Sequence, residues 1–338
     1  MQRSVGLAEP ISRSQETTRA ASLVSVCIVN WNCRELLRQC LRSLEGDNPG
    51  CAVEVIVVDN ASTDGAADMV ERDFPEVQLI RNEANEGFAR GCNQAAKRAR
   101  GKYLLFLNND TWVPAGALGQ LLRYAEQHPE AGLIAPRLRD GSGEIQLSAR
   151  FLPTLPALLH RLSFLRPLGL FRRSYQHYRG RQIDLNQTTE VEAVMGAAIL
   201  MPQSVFHQVG GWNEAYTFGG EDFDLCHRVG KQACIVYHPA VEIIHLGREA
   251  SRQQVGFVHA NTVIGITRSL RDRGTSAWGL LLYKILFTLD LPLQALVLSS
   301  KWLLGTLVGR KKHAKRAWLD LVGVQYFLRN SLWEFWRT

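Results

Sequence analysis

From about residue 22 the chain alternates short apolar runs with segments of helical periodicity. The runs cover residues 23–29, 53–58, 77–80, 103–107 and 132–135, and such continuous apolar stretches are typical of strands buried on both faces. Between the first two runs, apolar residues recur at helical spacing on one face. Strands that alternate with helices predict an α/β fold with a mostly parallel sheet flanked by helices.

The pattern changes after about residue 140. Residues 150–182 are rich in Leu, Arg and Pro and predict an excursion from the sheet with a short amphipathic helix. Residues 191–201 and 233–237 predict two more strands, and an acidic cluster at 221–224 lies between them after a glycine-rich turn. The second half of the domain is therefore expected to be mixed rather than doubly wound.

These patterns divide the chain into three parts. Residues 1–21 are polar and predict a flexible N-terminal tail. Residues 22–260 predict one domain with two halves, at 22–140 and 141–260. Residues 261–338 predict a helical, apolar and basic C-terminal region.

The C-terminal region is apolar enough to suggest membrane contact. Its longest uncharged stretch, 291–300, is short compared with the roughly 20 apolar residues of a spanning helix, because charges at 284, 290 and 301 interrupt the pattern. We therefore expect helices that lie on a membrane face, with basic residues 310–316 at anionic headgroups. The alternative is a helical pair packed on the domain. Its core residues would be Trp278, Leu281, Ile285 and Leu289.

Charge and cysteine content narrow the partners and the compartment. The net charge is +7, and residues 145–183 contain seven Arg and no Asp or Glu, so the rest of the chain sums to zero. Such local basicity predicts a surface for an anionic partner, here phospholipid, and we expect no nucleic-acid partner. Seven cysteines without a C-x-x-C pair, and an N-terminus without an apolar secretory segment, predict a cytoplasmic protein at the inner face of the membrane.

Polar residues follow three of the early strands. They occupy positions 30–32, 59–62 and 108–110. Ligands of open α/β sheets bind beyond the carboxyl ends of the strands, so these positions predict a site for a large, partly charged ligand. No dinucleotide or P-loop motif is present to hold phosphates. Asp110 would instead supply an oxygen ligand for a divalent metal.

Eight motifs, in order along the chain, resemble those of one enzyme family. They are SVCIVNWN, VVDNAST, NEGFARGCNQA, LFLNNDTWVP, APRLRDGSG, VMGAAILMP, VGGWNEAYTFGGEDFDLCHR and IIHLGREAS, over about residues 22–260. The chain resembles the inverting family-2 glycosyltransferases of the GT-A fold, most of all the rhamnosyltransferase-like branch that builds bacterial cell-wall and surface polysaccharide. The resemblance implies a Rossmann-like GT-A sheet and a nucleotide-diphospho-sugar donor. It also implies that 22–140 is the nucleotide-binding half and that 141–260 is the acceptor and catalytic half of the domain.

The resemblance also implies which residues contact the donor. Asp59 would accept the imide N–H of a uracil or thymine ring, and Asn30 and Asn32 would line the same nucleoside pocket. The remaining donor-binding residues would be Asn85, Gly87, Asn93, Asn108, Asn109 and Gly196.

Metal and catalytic residues follow from the same resemblance. A divalent cation, Mn²⁺ or Mg²⁺, would be held by Asp110 and His245, although a histidine after a strand can also be structural. Asn108 stands where the family's DXD element has its first Asp, which removes one negative charge. The pair Glu221 and Asp222 corresponds to the family's ED motif, in which Asp222 would act as the general base. The acids would equally suit a helix N-terminus.

The expected reaction is an inverting, metal-assisted sugar transfer. The expected donor is dTDP-L-rhamnose, and the expected acceptor is a glycan or lipid-linked glycan at the inner face of the membrane. A UDP-hexose donor is the alternative within this enzyme class. From other classes, a catalytically silent nucleotide-sugar-binding scaffold and a nucleotidyltransferase that releases pyrophosphate remain open.

Overall fold

The computed structural model describes residues 24–46, 50, 52–247 and 254–338. The predicted tail at 1–21 and the end of the last motif lie outside the described residues. The strands are β1 Val24–Asn30, β2 Val53–Asp59, β3 Gln78–Arg81, β4 Tyr103–Asn108, β5 Thr111–Trp112, β6 Ala131–Arg139, β7 Ala149–Arg150, β8 Thr189–Glu190, β9 Ala193–Val194, β10 Ala198–Pro202 and β11 Cys234–His245. The helices are α1 Arg34–Glu45, α2 Ala66–Asp73, α3 Phe88–Arg98, α4 Ala117–Gln127, α5 Leu155–Leu159, α6 Arg172–Tyr178, α7 Gln203–Gln208, α8 Glu221–Val229, α9 Val255–Asp272, α10 Ala277–Leu307, α11 Lys311–Tyr326 and α12 Leu332–Arg337, with a π-helical turn at Phe327–Ser331.

One mostly parallel sheet organises the fold, as the sequence predicts. Its strand order is β3-β2-β1-β4-β10-β6-β11-β5, with β8 also paired to β11. Strands β3, β2, β1 and β4 run parallel, whereas β10 is antiparallel to both of its neighbours. The register places Asn30 beside Asp59 and Val29 beside Asn108. The polar ends of three strands therefore meet at one edge.

Side chains alternate between two apolar cores on opposite faces of the sheet. In β4, Leu104 and Phe106 belong to one core, while Leu105 and Leu107 belong to the other. This is the period of two that a strand imposes. Helices α1, α2 and α4 cover the second core, and α3, α8 and the C-terminal helices cover the first.

Two strand predictions in the second half need correction. The run 191–201 is not one strand: β9 pairs with β7 in a separate small sheet, and β10 enters the main sheet after a turn at 195–197. The chain changes sheets there because residues 193–194 pair with β7, whereas residues 198–202 pair with β4 and β6. The run 233–237 is the start of a longer strand, which continues through a register shift and carries His245 to the polar edge.

The C-terminal helices pack on the domain through one face. Helix α9 crosses the predicted boundary at residue 260, and α10 contributes Leu280, Tyr283, Phe287 and Leu291 to the first core. The packed alternative is wrong about its residues: Trp278 and Leu289 are 81% and 69% exposed, and Leu281 and Ile285 are also exposed. These four lie on the opposite side of the same helix.

Helix α10 buries two of its three charges and exposes many of its apolar residues. Lys284 Nζ donates to Trp336 O at 3.1 Å, and the Asp290 carboxylate accepts the Ser163 backbone N–H at 2.8 and 3.0 Å. Both side chains are buried, at 8% and 1% exposure. Two of the charges that interrupt the apolar sequence therefore face the protein, whereas Lys301 is exposed. The outer face carries Trp278, Leu282, Leu289, Leu296, Leu304 and Leu307.

Length and composition would also allow α10 to cross a membrane. Among the residues that the structure describes, it is the one helix that meets both criteria, with a mean hydropathy of 1.6 over its most apolar window and 33% of that window buried. Uninterrupted length alone does not identify this helix, because Lys284, Asp290 and Lys301 break its apolar sequence.

Candidate active site

A cavity of about 740 Å³ opens at the carboxyl edge of the sheet. Strand ends supply one wall, and the loop before α8, the start of α8 and helix α9 supply the other. Nine of the predicted site residues line it, which brings the donor, metal and catalytic groups together. They are Asn85, Gly87, Asn108, Asn109, Asp110, Gly196, Glu221, Asp222 and His245.

Asp59, Asn30 and Asn32 lie beside this cavity rather than in its lining. The Asp59 carboxylate accepts Asn30 Nδ2 at 3.0 Å and Ser62 Oγ at 2.6 Å. Asn109 Nδ2 in turn donates to Asn30 Oδ1 at 2.7 Å, and Asn32 Oδ1 accepts the Thr63 backbone N–H. These buried bonds hold Asn109 in place. The nucleoside contacts of the three residues remain a prediction.

Asn93 is also outside the lining and holds the loop that leads to the acidic pair. Its Oδ1 accepts the Trp212 N–H at 2.9 Å, while its Nδ2 donates to Trp212 O at 2.9 Å and to Glu214 at 2.8 Å. The side-chain amide is thus engaged by residues about 120 positions away. A donor contact for Asn93 stays a prediction.

Asp110 and His245 face each other across the strand ends. Gln146 Nε2 donates to the His245 carbonyl at 2.7 Å, so its Oε1 must accept from His245 Nδ1, which lies 2.8 Å away. The ring nitrogen Nε2 then carries a lone pair, 3.3 Å from Asp110 Oδ1. Two acceptor atoms this close repel unless a proton or a cation lies between them. The donor set fits a divalent cation.

A cation here would need ligands that the protein does not supply. Among the described residues there is no group of three or more His, Cys, Asp or Glu side chains that could hold a metal. Asp110 and His245 provide two positions, and the hydrogen bond from Gln146 orients the histidine as a second-shell partner does in metal sites. Diphosphate oxygens and water would complete the coordination.

The two acidic residues at the start of α8 have different environments. Burial, followed by repulsion from Asp222, raises the pKa of Glu221 to about 8, and its Oε2 is buried without a hydrogen-bond partner in the described part of the chain. Burial also raises the pKa of Asp222, but Arg150 and the backbone N–H groups of Phe223 and Gly196 oppose that rise. At neutral pH this arrangement favours a protonated Glu221, while Arg150 and the backbone N–H groups favour the charged form of Asp222.

The next acidic residue on the helix has a structural role. Asp224 is buried and pairs with Arg228 at 2.6 Å, and the same guanidinium donates to Val209 O and Gly211 O. It therefore fixes α8 against the preceding loop, while Asp222 faces the cavity.

Glycines before the acidic pair are required by the packing of helix α9. Gly219 and Gly220 have φ angles of +77° and +100°, which disfavour any side chain. A Cβ on Gly265 of α9 would lie 1.6 Å from Gly219 O, and one on Gly220 would lie 2.7 Å from the Gly265 carbonyl carbon. The backbone of the loop at Gly219 and Gly220, here called the catalytic loop, thus lies in direct contact with α9.

Sequence reasoning missed several lining residues. Arg150, Tyr178, Phe257 and Thr262 line the cavity, and Gln146 orients His245. The Arg-rich composition of 145–183 pointed to an anion surface without indicating which arginine enters the cavity. No sequence pattern in α9 indicates that this helix forms part of the cavity wall.

The fold and this site define a class of enzyme, the GT-A glycosyltransferases. A cavity at the carboxyl edge of a mostly parallel sheet joins a strand-end carboxylate and histidine to a half-buried acidic pair. The model of the family described as Glycosyl transferase family 2 matches residues 25–209, and the chain belongs to this family. It is a glycosyltransferase of the rhamnosyltransferase-like branch, as its motifs indicate.

Curated relatives agree with this assignment. The N-acetylglucosaminyl-diphospho-decaprenol L-rhamnosyltransferase of Mycobacterium tuberculosis is 30% identical over 244 residues, which cover 67% of this chain and 77% of that protein. The O-antigen biosynthesis protein RfbC of Myxococcus xanthus is 26% identical over 237 residues, which cover 69% of this chain and 18% of that protein.

Solved structures share the fold at low sequence identity. The mannosyltransferase PcManGT from Pyrobaculum calidifontis, in complex with GDP-Man and Mn²⁺, is 16% identical with a TM-score of 0.54, covering 94% of this chain and 88% of that one. GalNAc-T7 with UDP, GalNAc and Mn²⁺ is 15% identical with a TM-score of 0.55, covering 75% of this chain and 48% of that one. At this identity the likeness concerns the fold.

Proposed function

We propose that this glycosyltransferase transfers L-rhamnose from dTDP-L-rhamnose, with inversion, to a lipid-linked glycan in bacterial cell-wall or surface polysaccharide synthesis. One observation carries the choice of sugar and acceptor. The chain aligns with 77% of a relative whose name specifies L-rhamnosyl transfer and a diphospho-decaprenol-linked acceptor. The cavity supports the reaction because it places an acidic pair opposite the strand ends.

Asp222 is the general base of this proposal. The acceptor hydroxyl oxygen attacks the anomeric carbon of the donor, the bond from that carbon to the phosphate oxygen breaks, and its electron pair leaves with the nucleoside diphosphate. Asp222 takes the hydroxyl proton as the new bond forms. Burial raises its pKa, and Arg150 and the backbone N–H groups oppose that rise, which favours the charged form that this task requires.

Glu221 supplies a neutral hydrogen-bond donor beside the base. With its pKa raised to about 8, it keeps a proton at neutral pH. Its unpartnered Oε2 is then free to bond a hydroxyl of the acceptor or of the donor sugar. A second charged carboxylate at this position would instead repel Asp222.

Asp110 and His245 would hold a divalent cation, Mn²⁺ or Mg²⁺. When bound, the cation neutralises charge on the leaving diphosphate. Gln146 would orient the histidine through Nδ1, which leaves the Nε2 lone pair, 3.3 Å from Asp110 Oδ1, for the cation. Asp110 supplies the single formal negative charge of the pair, so metal affinity depends mainly on it.

Helix α10 and the basic residues after it would keep the enzyme at the inner face of the cell membrane. The outer face of α10 is apolar, and the five cations that follow are exposed. They are Arg310, Lys311, Lys312, Lys315 and Arg316. Each cation near an anionic surface contributes about 1 kcal/mol, and the apolar face adds the salt-insensitive part of the affinity.

Nucleotide-sugar binding tests the proposed donor. Thermal unfolding is followed with dTDP-L-rhamnose, UDP-glucose and UDP-N-acetylglucosamine, each with and without Mn²⁺. A ligand at 100 times its Kd adds about 2.7 kcal/mol of stability, so the expected result is a metal-dependent shift with dTDP-L-rhamnose alone. If only a UDP-sugar raises the unfolding temperature, that sugar is the donor instead of dTDP-L-rhamnose. Release of pyrophosphate instead of a nucleoside diphosphate during turnover would refute sugar transfer.

A further inference from the structure

We propose that residues 160–173, here called the arginine-ringed loop, form a second bilayer-binding element that docks on anionic phospholipid together with α10. The loop exposes an apolar tip. Leu168 is 70% exposed, and Phe164, Leu170 and Phe171 are exposed as well. Four neighbouring apolar side chains in water are unfavourable unless a partner covers them.

Four arginines surround this tip. Arg161, Arg166, Arg172 and Arg173 are all exposed, and none of them forms an ion pair with a described acidic side chain. Residues 145–183 contain no acid at all. An apolar protrusion ringed by free cations complements an interface where lipid tails meet anionic headgroups.

The loop has a defined shape rather than trailing in solvent. His160 Nδ1 donates to Leu170 O at 2.6 Å and closes its base. The Asp290 carboxylate accepts the Ser163 N–H with both oxygens, at 2.8 and 3.0 Å, and this joins the loop to the inner face of α10. Asp290 is buried, so the bonds are shielded from water. The tip is therefore held beside a helix whose outer face is apolar.

A lipid surface fits this pair of elements better than a soluble protein does. Helix α10 directs Lys284 and Asp290 toward the protein and most of its leucines and both of its tryptophans outward, whereas a helix in water usually turns its charged face to the solvent. Exposed cations lie at both elements, in the loop and after α10. A bilayer with anionic lipid satisfies both the apolar faces and the cations.

The loop also belongs to the segment that forms one wall of the active-site cavity. Arg150 and Tyr178 line the cavity on either side of it in sequence. Docking of the loop would thus set the height of that wall above the lipid headgroups, where a lipid-linked acceptor is anchored. This consequence rests on the proposed acceptor, whereas lipid binding by the loop does not.

Vesicle flotation of the full-length protein tests the loop directly. The vesicles are phosphatidylcholine alone or phosphatidylcholine with phosphatidylglycerol, and no sugar substrate is added. The loop variants are Leu168→Glu and the pair Arg172→Glu with Arg173→Glu. The matched controls are Val53→Glu, an exposed apolar residue at the start of β2, and Arg123→Glu, an exposed arginine on α4.

The double arginine reversal is expected to weaken binding to the anionic vesicles by at least about tenfold, and Leu168→Glu should weaken binding to both. The controls should float like the wild type. Loop variants that float like the wild type would overturn the proposal. So would a loop variant that changes the sedimentation coefficient without lipid, because the loop would then join two copies of the chain.

Nucleotide-sugar thermal shifts on the same variants separate this proposal from the proposed function. Loop variants that lose flotation but keep a donor shift support the docking role. The other outcome is that no nucleotide-sugar raises the unfolding temperature of the wild-type protein while the loop variants still lose flotation. The proposed function then fails, and lipid binding by the arginine-ringed loop is still supported.

Discussion

The two walls of the cavity are built in different ways. The strand-end wall comes from residues that directly follow β1, β2 and β4, and buried bonds such as Asn109 to Asn30 tie it together. The opposite wall combines the loop at Gly219, the start of α8 and helix α9, which join only in the folded chain. The first wall is rigid and polar, as binding of a fixed donor requires. The second wall depends on close backbone packing between the loop at Gly219 and α9. Small changes in that packing are therefore expected to lower activity.

Loss of the base on the packed wall should have the largest effect. Asp222→Asn keeps the shape of the side chain but cannot take a proton, so kcat should fall by about 10²–10⁴ while donor affinity changes little. Glu221→Gln is the matched control. Because Glu221 is protonated at neutral pH, its amide should retain far more activity. Equal losses in both variants, measured as initial rates at pH 7, would contradict the division of roles.

Substitutions in the strand-end wall should lower binding of the nucleoside diphosphate rather than kcat. Asp110→Ala removes the only formal charge that faces a cation there, so metal-dependent binding of the nucleoside diphosphate should drop by about 100-fold. His245→Ala should cost less because a neutral imidazole offsets no charge. Calorimetry with and without Mn²⁺ measures both. Unchanged metal dependence in Asp110→Ala would place the cation elsewhere.

Close packing of α9 against the catalytic loop can be broken with one methyl group. In Gly265→Ala the added Cβ would lie 1.6 Å from Gly219 O, so the loop must shift. Overpacking should cost about 1–3 kcal/mol of unfolding free energy, and kcat should fall about tenfold. Gly46→Ala, whose Cβ meets nothing nearer than 3.7 Å, is the control. A melt that shows lost stability with unchanged kcat would mean that α9 supports the fold without positioning the acids.

The smallest expected effect is a shift in pH dependence. Burial raises the pKa of Asp222 and Arg150 lowers it, so Arg150→Gln should raise it further. Since Asp222 acts in its ionised form, activity is lost as the pH falls through its pKa. The acid limb of the kcat/KM profile should therefore move to higher pH. Arg181→Gln, an exposed arginine of the same segment, should leave that limb in place. An acid limb that moves to lower pH or stays in place would show that Arg150 does not lower the pKa of Asp222.

The sequence predicted the strand-end wall well because its signals are local. Each apolar run ends directly before its polar residues, and parallel strands must bring those ends to one edge. Asn108, Asn109 and Asp110 thus line the cavity as expected. Asn93 was harder to place, because its side chain bonds Trp212, about 120 residues away. No local pattern carries that information.

Apolar pattern alone failed where the backbone turns inside an apolar run. Residues 191–201 have the composition of one strand, yet the chain turns at 195–197 beside Asp222. The predicted strand is therefore split between two sheets. Its first part pairs with β7 and its second part pairs with β4 and β6, and these partner strands come from distant parts of the chain.

By itself the sequence determined the α/β class, the polar edge of the sheet, the family and the separate character of the C-terminal region. Only the tertiary structure decided which side of α10 meets the protein. A helix that is apolar on nearly all sides has no preferred face of its own. Lys284 and Asp290 determine the inner face. A charge is stable in the interior only where it has hydrogen-bonding partners. Their partners, Trp336 O and the Ser163 N–H, lie on the side of the helix that packs on the protein.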